Sequence, residues 1–371
     1  MSEREERAIA ANTSVRPGLL RAVILEAAEN LFPGYFAMVM ATGIASIACA
    51  FLDMHRIAWA LLVVNWIAYP TLWVFTLVRM AVFPRRLAAD LSDHQRAPGF
   101  FTLVAGTCVF GTQVLVVSDA HALAGALWWF GVGLWVVVMY GFFTAVITGA
   151  RKPPIAKGIH GAWLIAAVAT HSIVILRSAL DTEATPTEPI QLLVLAMFMI
   201  GGMLYLALIP LIFHRLIFVR LESHHFSPPY WIAMGAVAIS TLAGATLILR
   251  APSWPLIELF LPFLRGLTVF FWSVATWWIP LLVALMVWRH AWKRDRLTYE
   301  PAMWAMVFPL GMYTMCTLEL GQALGWPFLQ IVPEITIAIA LAAWAATFIG
   351  LVLHIARSIR ACLQRARTAA I

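Results

Sequence analysis

Ten apolar runs, most of them twenty residues or longer, follow one another through this chain with short breaks between them. They span residues 33–53, 57–79, 98–118, 121–149, 159–180, 190–214, 228–249, 264–289, 301–323 and 331–356. Runs of this length suit helices that cross a bilayer, whereas a barrel strand needs only about ten residues with strict alternation. The expected fold is an all-α integral membrane protein. Residues 33–356 form its membrane domain, with cytoplasmic tails at 1–32 and 357–371. The leader before Pro33 is polar and charged and lacks the parts of a signal peptide, so it reads as a retained tail.

Composition agrees. Of the 371 residues 62% are apolar and 12% charged, about half the charge of a soluble domain. A net charge of +7 could point to nucleic acid, but membrane proteins gather Lys and Arg in cytoplasmic loops, and the placement here is of that kind. Of 25 Lys and Arg, 21 fall in the two tails and the even-numbered loops; the odd loops hold only Arg56, Arg177, Arg250 and Arg265. This split predicts an even number of spans with both termini cytoplasmic. Cys49, Cys108, Cys316 and Cys362 have no metal-ligand spacing, so neither a metal site nor a disulfide framework is expected. His224–His225 reads as a surface pair in a loop.

The odd runs start alike. They read PGYFAMVMATGIAS from Pro33, PGFFTLVAGTCVFG from Pro98, HGAWLIAAVATHSI from His160, PPYWIAMGAVAIST from Pro228 and PAMWAMVFPLGMYT from Pro301. The fourth position is always aromatic: Phe36, Phe101, Trp163, Trp231 and Trp304. The starts are 65, 62, 68 and 73 residues apart, the length of two helices and a loop. Five copies of a helical hairpin, set in a ring with quasi-fivefold order, are the simplest account. The odd runs also carry the small and polar residues, among them Thr42, Gly43, Ser46, Gly106, Thr107, Thr170, His171, Ser172 and Ser240, while the even runs are bulkier. Small and polar residues avoid lipid, so the odd helices should lie inside. Residue types alone leave two readings open, a central pore and a tightly packed bundle without one.

At this point the sequence resembles the tellurite-resistance and C4-dicarboxylate transporter family, which includes plant slow-type anion channels, yeast sulfite exporters and malate permeases. The resemblance lies in FPGYFAMVMATGIASIA at 32–48, DHQRAPGFFTLVAGTCVFG at 93–111, GAWLIAAVATHSI at 161–173, YWIAMGAVAISTLAG at 230–244 and WAMVFPLGMYT at 304–314. It implies ten helices in five hairpins, a central pore lined by the odd helices, a homotrimer with one pore per subunit, and small anions as the transported species. Neither a cofactor nor an enzyme activity is expected. The resemblance further implies a Phe in the ninth helix that closes the pore, which here is Phe308, with Pro309 and Gly311 bending the helix beside it. His171 departs from the Gln expected in similar bacterial sequences.

The residues themselves support a gate at Phe308, because the aligned positions hold Met40, Ala105, Ala167 and Gly235, mostly small. The expected pore lining is Thr42, Gly43, Gly106, Thr107, Ala167, Thr170, His171, Gly235, Ser240, Gly311, Met312 and Glu319. Glu319 follows Phe308 by eleven residues, on nearly the same helix face and about 16 Å away. It either serves the pore or pairs structurally with Arg177 or Arg265. His171 either faces the pore, where it could carry charge or a proton, or bonds between helices. Selectivity is expected from width, hydroxyls and helix dipoles, since no odd helix carries a basic residue in mid-span. A proton-coupled dicarboxylate carrier, with His171 and Glu319 as a relay, is the alternative mode. A membrane-embedded enzyme would need a cluster of His, Asp or Cys, and none is visible.

Overall fold

The computed structural model describes residues 24–150, 152–180, 185–220, 226–295 and 298–368, without the side chains of 359 and 361–368. The tail arginines before residue 24, Arg151, Arg296 and the His224–His225 pair lie outside these. Ten long helices dominate: α1 Ala37–Phe51, α2 His55–Val82, α3 Phe101–Ser118, α4 His121–Thr148, α5 Ile165–Leu180, α6 Glu188–Phe218, α7 Ile232–Arg250, α8 Leu261–Val287, α9 Trp304–Leu324 and α10 Ile331–Thr368. No strand occurs among the described residues.

Nine spans among the described residues are long and apolar enough to cross a membrane. The remaining long helix, α9, is less apolar because Thr314, Thr317, Glu319 and Gln322 fall in its second half. Its neighbours explain how it tolerates them. Helix α9 packs on α1, α7 and α10 and turns most of its residues to protein rather than lipid. The helix predicted to end at 356 continues to Thr368. The extension carries Arg357 and Arg360.

The odd helices touch in succession, α1 to α3, α3 to α5, α5 to α7 and α7 to α9, and α9 meets α1 again. Each even helix packs on the odd helix before it and touches the odd helix after it. Burial separates the two sets. The spans containing α1, α3, α5 and α7 are 78–89% buried, while the even spans are 17–50% buried. Bulky side chains such as Trp66, Trp129, Phe130 and Trp277 point outward from the even helices, as lipid-facing positions require.

Each odd helix begins with a short 3₁₀ turn: Pro33–Phe36, Ala97–Phe100, Gly161–Leu164, Pro228–Trp231 and Pro301–Met303. Proline near the first position suits a helix start, because its missing N–H needs no partner there. Gly161 replaces the proline in α5. A Cβ there would lie 2.1 Å from the carbonyl oxygen of Pro229, so only glycine permits this approach of backbones. The turn that begins α5 is capped by His160, whose Nδ1 accepts from the Ala162 N–H at 3.3 Å.

A second repeat lies at the same end of the bundle. Arg79, at the end of α2, donates to the Leu31 carbonyl. Arg215, at the end of α6, donates to the Ile159 carbonyl, and Arg289, just beyond α8, donates to the Phe226 carbonyl. Each acceptor lies two residues before the 3₁₀ turn of the odd helix in the same hairpin. Three of the arginines counted as loop charges are therefore clasps that satisfy backbone carbonyls.

Candidate functional site

Two cavities lie within the ring. The near cavity, at the start of the odd helices, spans about 650 Å³ of unfilled space, part of it open to solvent, and reaches as deep as Ala37, Thr102, Ile165, Ile232 and Ala305. The far cavity, about 530 Å³, begins at Ile44, Val109, Ser172, Ile239 and Met312. Every odd helix contributes to both, and the two limits are seven residues apart in all five helices. Seven residues make two turns and return to nearly the same face. Both cavities are thus lined by one inward stripe on each helix, interrupted for about 10 Å along the axis.

Phe308 lies in that interruption and is 2% exposed. Its neighbours fix its direction. Pro309 packs on α7, where a Cβ on Gly235 would lie 2.6 Å from its Cγ. Gly311 packs on α1, where a Cβ would lie 2.9 Å from Cγ2 of Ile44. On the helix wheel Phe308 falls between these two contacts. Pro309 sits inside the continuous α9, where it removes one backbone donor. Counted three residues on from the near-cavity limits Ala37, Thr102, Ile165 and Ile232, the positions level with Phe308 are Met40, Ala105, Val168 and Gly235.

That set corrects the expected one at α5, which held Ala167. The sequence alignment began α5 at His160, but the cavity limits Ile165 and Ser172 follow Gly161 at the spacing with which Ala37 and Ile44 follow Pro33, so the register moves by one residue. One residue on a helix is a rotation of about 100°. Ser172 faces the far cavity, and His171 does not. His171 is fully buried, with Nε2 3.2 Å from the Phe198 carbonyl oxygen of α6 and Nδ1 3.3 Å from Ser240 Oγ of α7. Its ring also fills the space beside Gly201.

Most of the expected lining residues serve the joints between helices. Thr42 accepts from Trp344 Nε1 of α10 at 2.9 Å, Thr170 from Trp135 Nε1 of α4 at 2.8 Å, and Thr107 bonds to Tyr69 of α2 at 3.0 Å. These three stand two residues before Ile44, Val109 and Ser172, on the outward face of their helices. Gly43 meets Val109 of α3, and Gly106 meets Phe36 in the turn before α1. Without water nearby, a hydroxyl on an inner helix is satisfied by the outer helix behind it, and polarity marks that joint rather than the axis. Of the expected set, Met312 and Glu319 line the far cavity. Of the hydroxyls that do line it, Ser172 and Thr246 stand seven-residue steps beyond Ile165 and Ile239, and Thr112 stands one helical turn beyond Val109.

Glu319 is 6% exposed and stands where the far cavity meets a wider mouth shared with Arg250. The cation beside it is Arg250, not the expected Arg177 or Arg265. Arg250 Nε donates to the Ser178 carbonyl at 2.8 Å. At the near cavity, His160 lies just outside the membrane span, and burial followed by the charge of Arg215 pushes its pKa down to about 4. No group of three or more His, Cys, Asp or Glu that could hold a metal exists among the described residues.

A multi-pass helical membrane protein with opposed internal cavities on one helical ring is the class this geometry defines. The family model for voltage-dependent anion channels (SLAC1) matches residues 30–352, and the chain belongs to that family. A sulfite efflux pump of Trichophyton rubrum is 23% identical over 350 residues, covering 87% of this chain and 90% of the pump. An uncharacterised transporter of Methanocaldococcus jannaschii is 25% identical over 299 residues, 78% of this chain and 83% of that protein. An uncharacterised membrane protein of Mycobacterium tuberculosis is 39% identical over 156 residues, 42% of this chain and 79% of its own length. The chain is accordingly a membrane anion transporter and not an enzyme.

Proposed function

We propose that small anions pass along the axis of the odd-helix ring and that Phe308 closes the path in this conformation. The observation that carries this reading is the pair of cavities lined by the same stripe on all five odd helices, interrupted at the level of Phe308. In this reading all ten helices cross the membrane in quasi-fivefold order. The near cavity opens to the cytoplasm, where the Lys and Arg gather and both termini lie. The membrane is the cytoplasmic membrane, and the assembly is a homotrimer with one path per subunit, as the family resemblance implies. Sulfite, which the Trichophyton relative is named for, belongs on the panel of anions to test, with chloride, nitrate, tellurite and dicarboxylates.

The test is Phe308→Ala. A ring that only fills a core costs about 3–5 kcal/mol when cut to a methyl, and folded protein is lost. A ring that blocks a path leaves that path open when removed, because Ala105 and Gly235 are too small to fill the space. The expected result is normal assembly on size-exclusion chromatography with greater anion flux per folded protein in proteoliposomes, and Phe308→Leu intermediate. Normal assembly with flux no greater than wild type defeats the gate.

A further inference from the structure

We propose that Glu319 sets the charge selectivity of this path, favouring monovalent over divalent anions. The inference rests on the axial path described above.

Position is the first argument. Glu319 lines both the far cavity and the mouth beyond it, which share Phe51, Val116, Ala179 and Thr246 as walls. An anion moving between cavity and solvent passes this carboxylate. Its state is the second. Glu319 is 6% exposed, yet it makes no hydrogen bond and no ion pair among the described residues. A structural carboxylate at such burial is normally tied to donors; this one lines the cavity and its mouth instead.

The charged groups around it are held by other partners. Arg250 of α7 is held at the mouth by its bond to the Ser178 carbonyl and forms no ion pair with Glu319. Asp119, just after α3, and His121, the first residue of α4, bond to each other at 3.0 Å with Asp119 almost fully in solvent. Arg177 of α5 lies over the Trp128 ring. On α1 the mouth has only Phe51. Arg250 therefore draws anions to the wide mouth, and Glu319 opposes them where the path narrows. Coulomb repulsion scales with the product of the charges, so a dianion meets twice the barrier of a monoanion. Rates depend exponentially on barriers, and walls of low dielectric leave the field weakly screened.

Nitrate and sulfate are suitable probes, because each keeps one charge state through the neutral pH range. The measurement is the ratio of sulfate to nitrate flux in proteoliposomes at about pH 8.5, where a carboxyl group is ionised even when burial opposes it, for wild type, Glu319→Gln and Arg250→Gln. Removing the carboxylate charge should raise the ratio about tenfold, with nitrate flux changed less. Arg250→Gln should lower it. A purely structural Glu319 would alter yield or both fluxes alike and leave the ratio unmoved. Should Glu319→Gln fail to assemble, the ratio is followed in His121→Gln protein while the far-side solution is acidified. Protonation of Glu319 then stands in for the substitution, and the ratio must rise. An unchanged ratio in either arm overturns the proposal. Wild type passing neither ion would instead overturn the anion path itself.

Discussion

The ring of Pro309 occupies the space that a side chain on Gly235 would fill, with a Cβ there only 2.6 Å from Cγ. Gly235 stands at the level of Phe308 on the inward stripe, so its missing side chain lets the proline of α9 approach α7 beside the proposed gate. Gly235→Val should overpack this contact. The expected cost is about 1–3 kcal/mol, read as a lower thermal midpoint in detergent, with Gly235→Ala falling between.

Thr170 and Ser172 are two residues apart on α5 and separate two roles. Thr170 faces α4 and accepts from Trp135; Ser172 faces the far cavity and donates to the Ala169 carbonyl of its own helix. Thr170→Val should lower stability by about 0.5–1.5 kcal/mol and leave relative anion fluxes unchanged. Ser172→Ala should do the reverse, with stability near wild type and altered fluxes across an anion panel. Exchange of these two outcomes would restore the register read from the sequence.

His171→Gln is expected to leave the pH dependence of flux as it is in wild type. The ring joins α5 to α6 and α7 and lines neither cavity. Gln cannot reach both Phe198 O and Ser240 with a planar ring, so a lower thermal midpoint is the expected effect. A flux profile flattened between about pH 5.5 and 7.5 would instead place this His in the path.

His160 gives the stability of the protein a pH dependence with a defined sign. Its pKa is pushed down from 6.5 to about 4 in the fold, so the unfolded chain takes up the proton first as pH falls. Its full support for the fold is present above about pH 6.5 and is lost on acidification toward pH 4, by up to about 3 kcal/mol. His160→Asn keeps an acceptor for the Ala162 N–H, since Asn is a good N-cap, and removes this titration. Thermal midpoints of the variant should fall less than those of wild type between pH 6.5 and 4.5.

How much of this was legible in the sequence depends on whether a feature is periodic or needs an absolute angle. The apolar runs, the alternation of inner and outer helices and the repeated starts are periodic, and they survive errors of a residue or two. Which face of α5 looks inward does not. His160 and Gly161 are equally plausible starts in the sequence, and the difference decides between His171 and Ser172. The polar residues misled for another reason. A threonine in an inner helix looks like pore lining, yet Thr42, Thr107 and Thr170 spend their hydroxyls on Trp344, Tyr69 and Trp135, partners that lie 302, 38 and 35 residues away in sequence. Glu319 was recognisable as a lone buried acid, but Arg250 as its neighbour depends on how the ends of α7 and α9 meet.

The arginine clasps carry a consequence for assembly. Arg79 follows its acceptor Leu31 by 48 residues, Arg215 follows Ile159 by 56, and Arg289 follows Phe226 by 63. Each clasp closes within a single pair of consecutive helices and needs nothing synthesised later. A hairpin can therefore be fastened as soon as its second helix has left the ribosome, before the ring exists. Closing the ring then requires only the docking of finished pairs, with the α9–α1 contact last, and contacts of short sequence separation form sooner than those between chain ends.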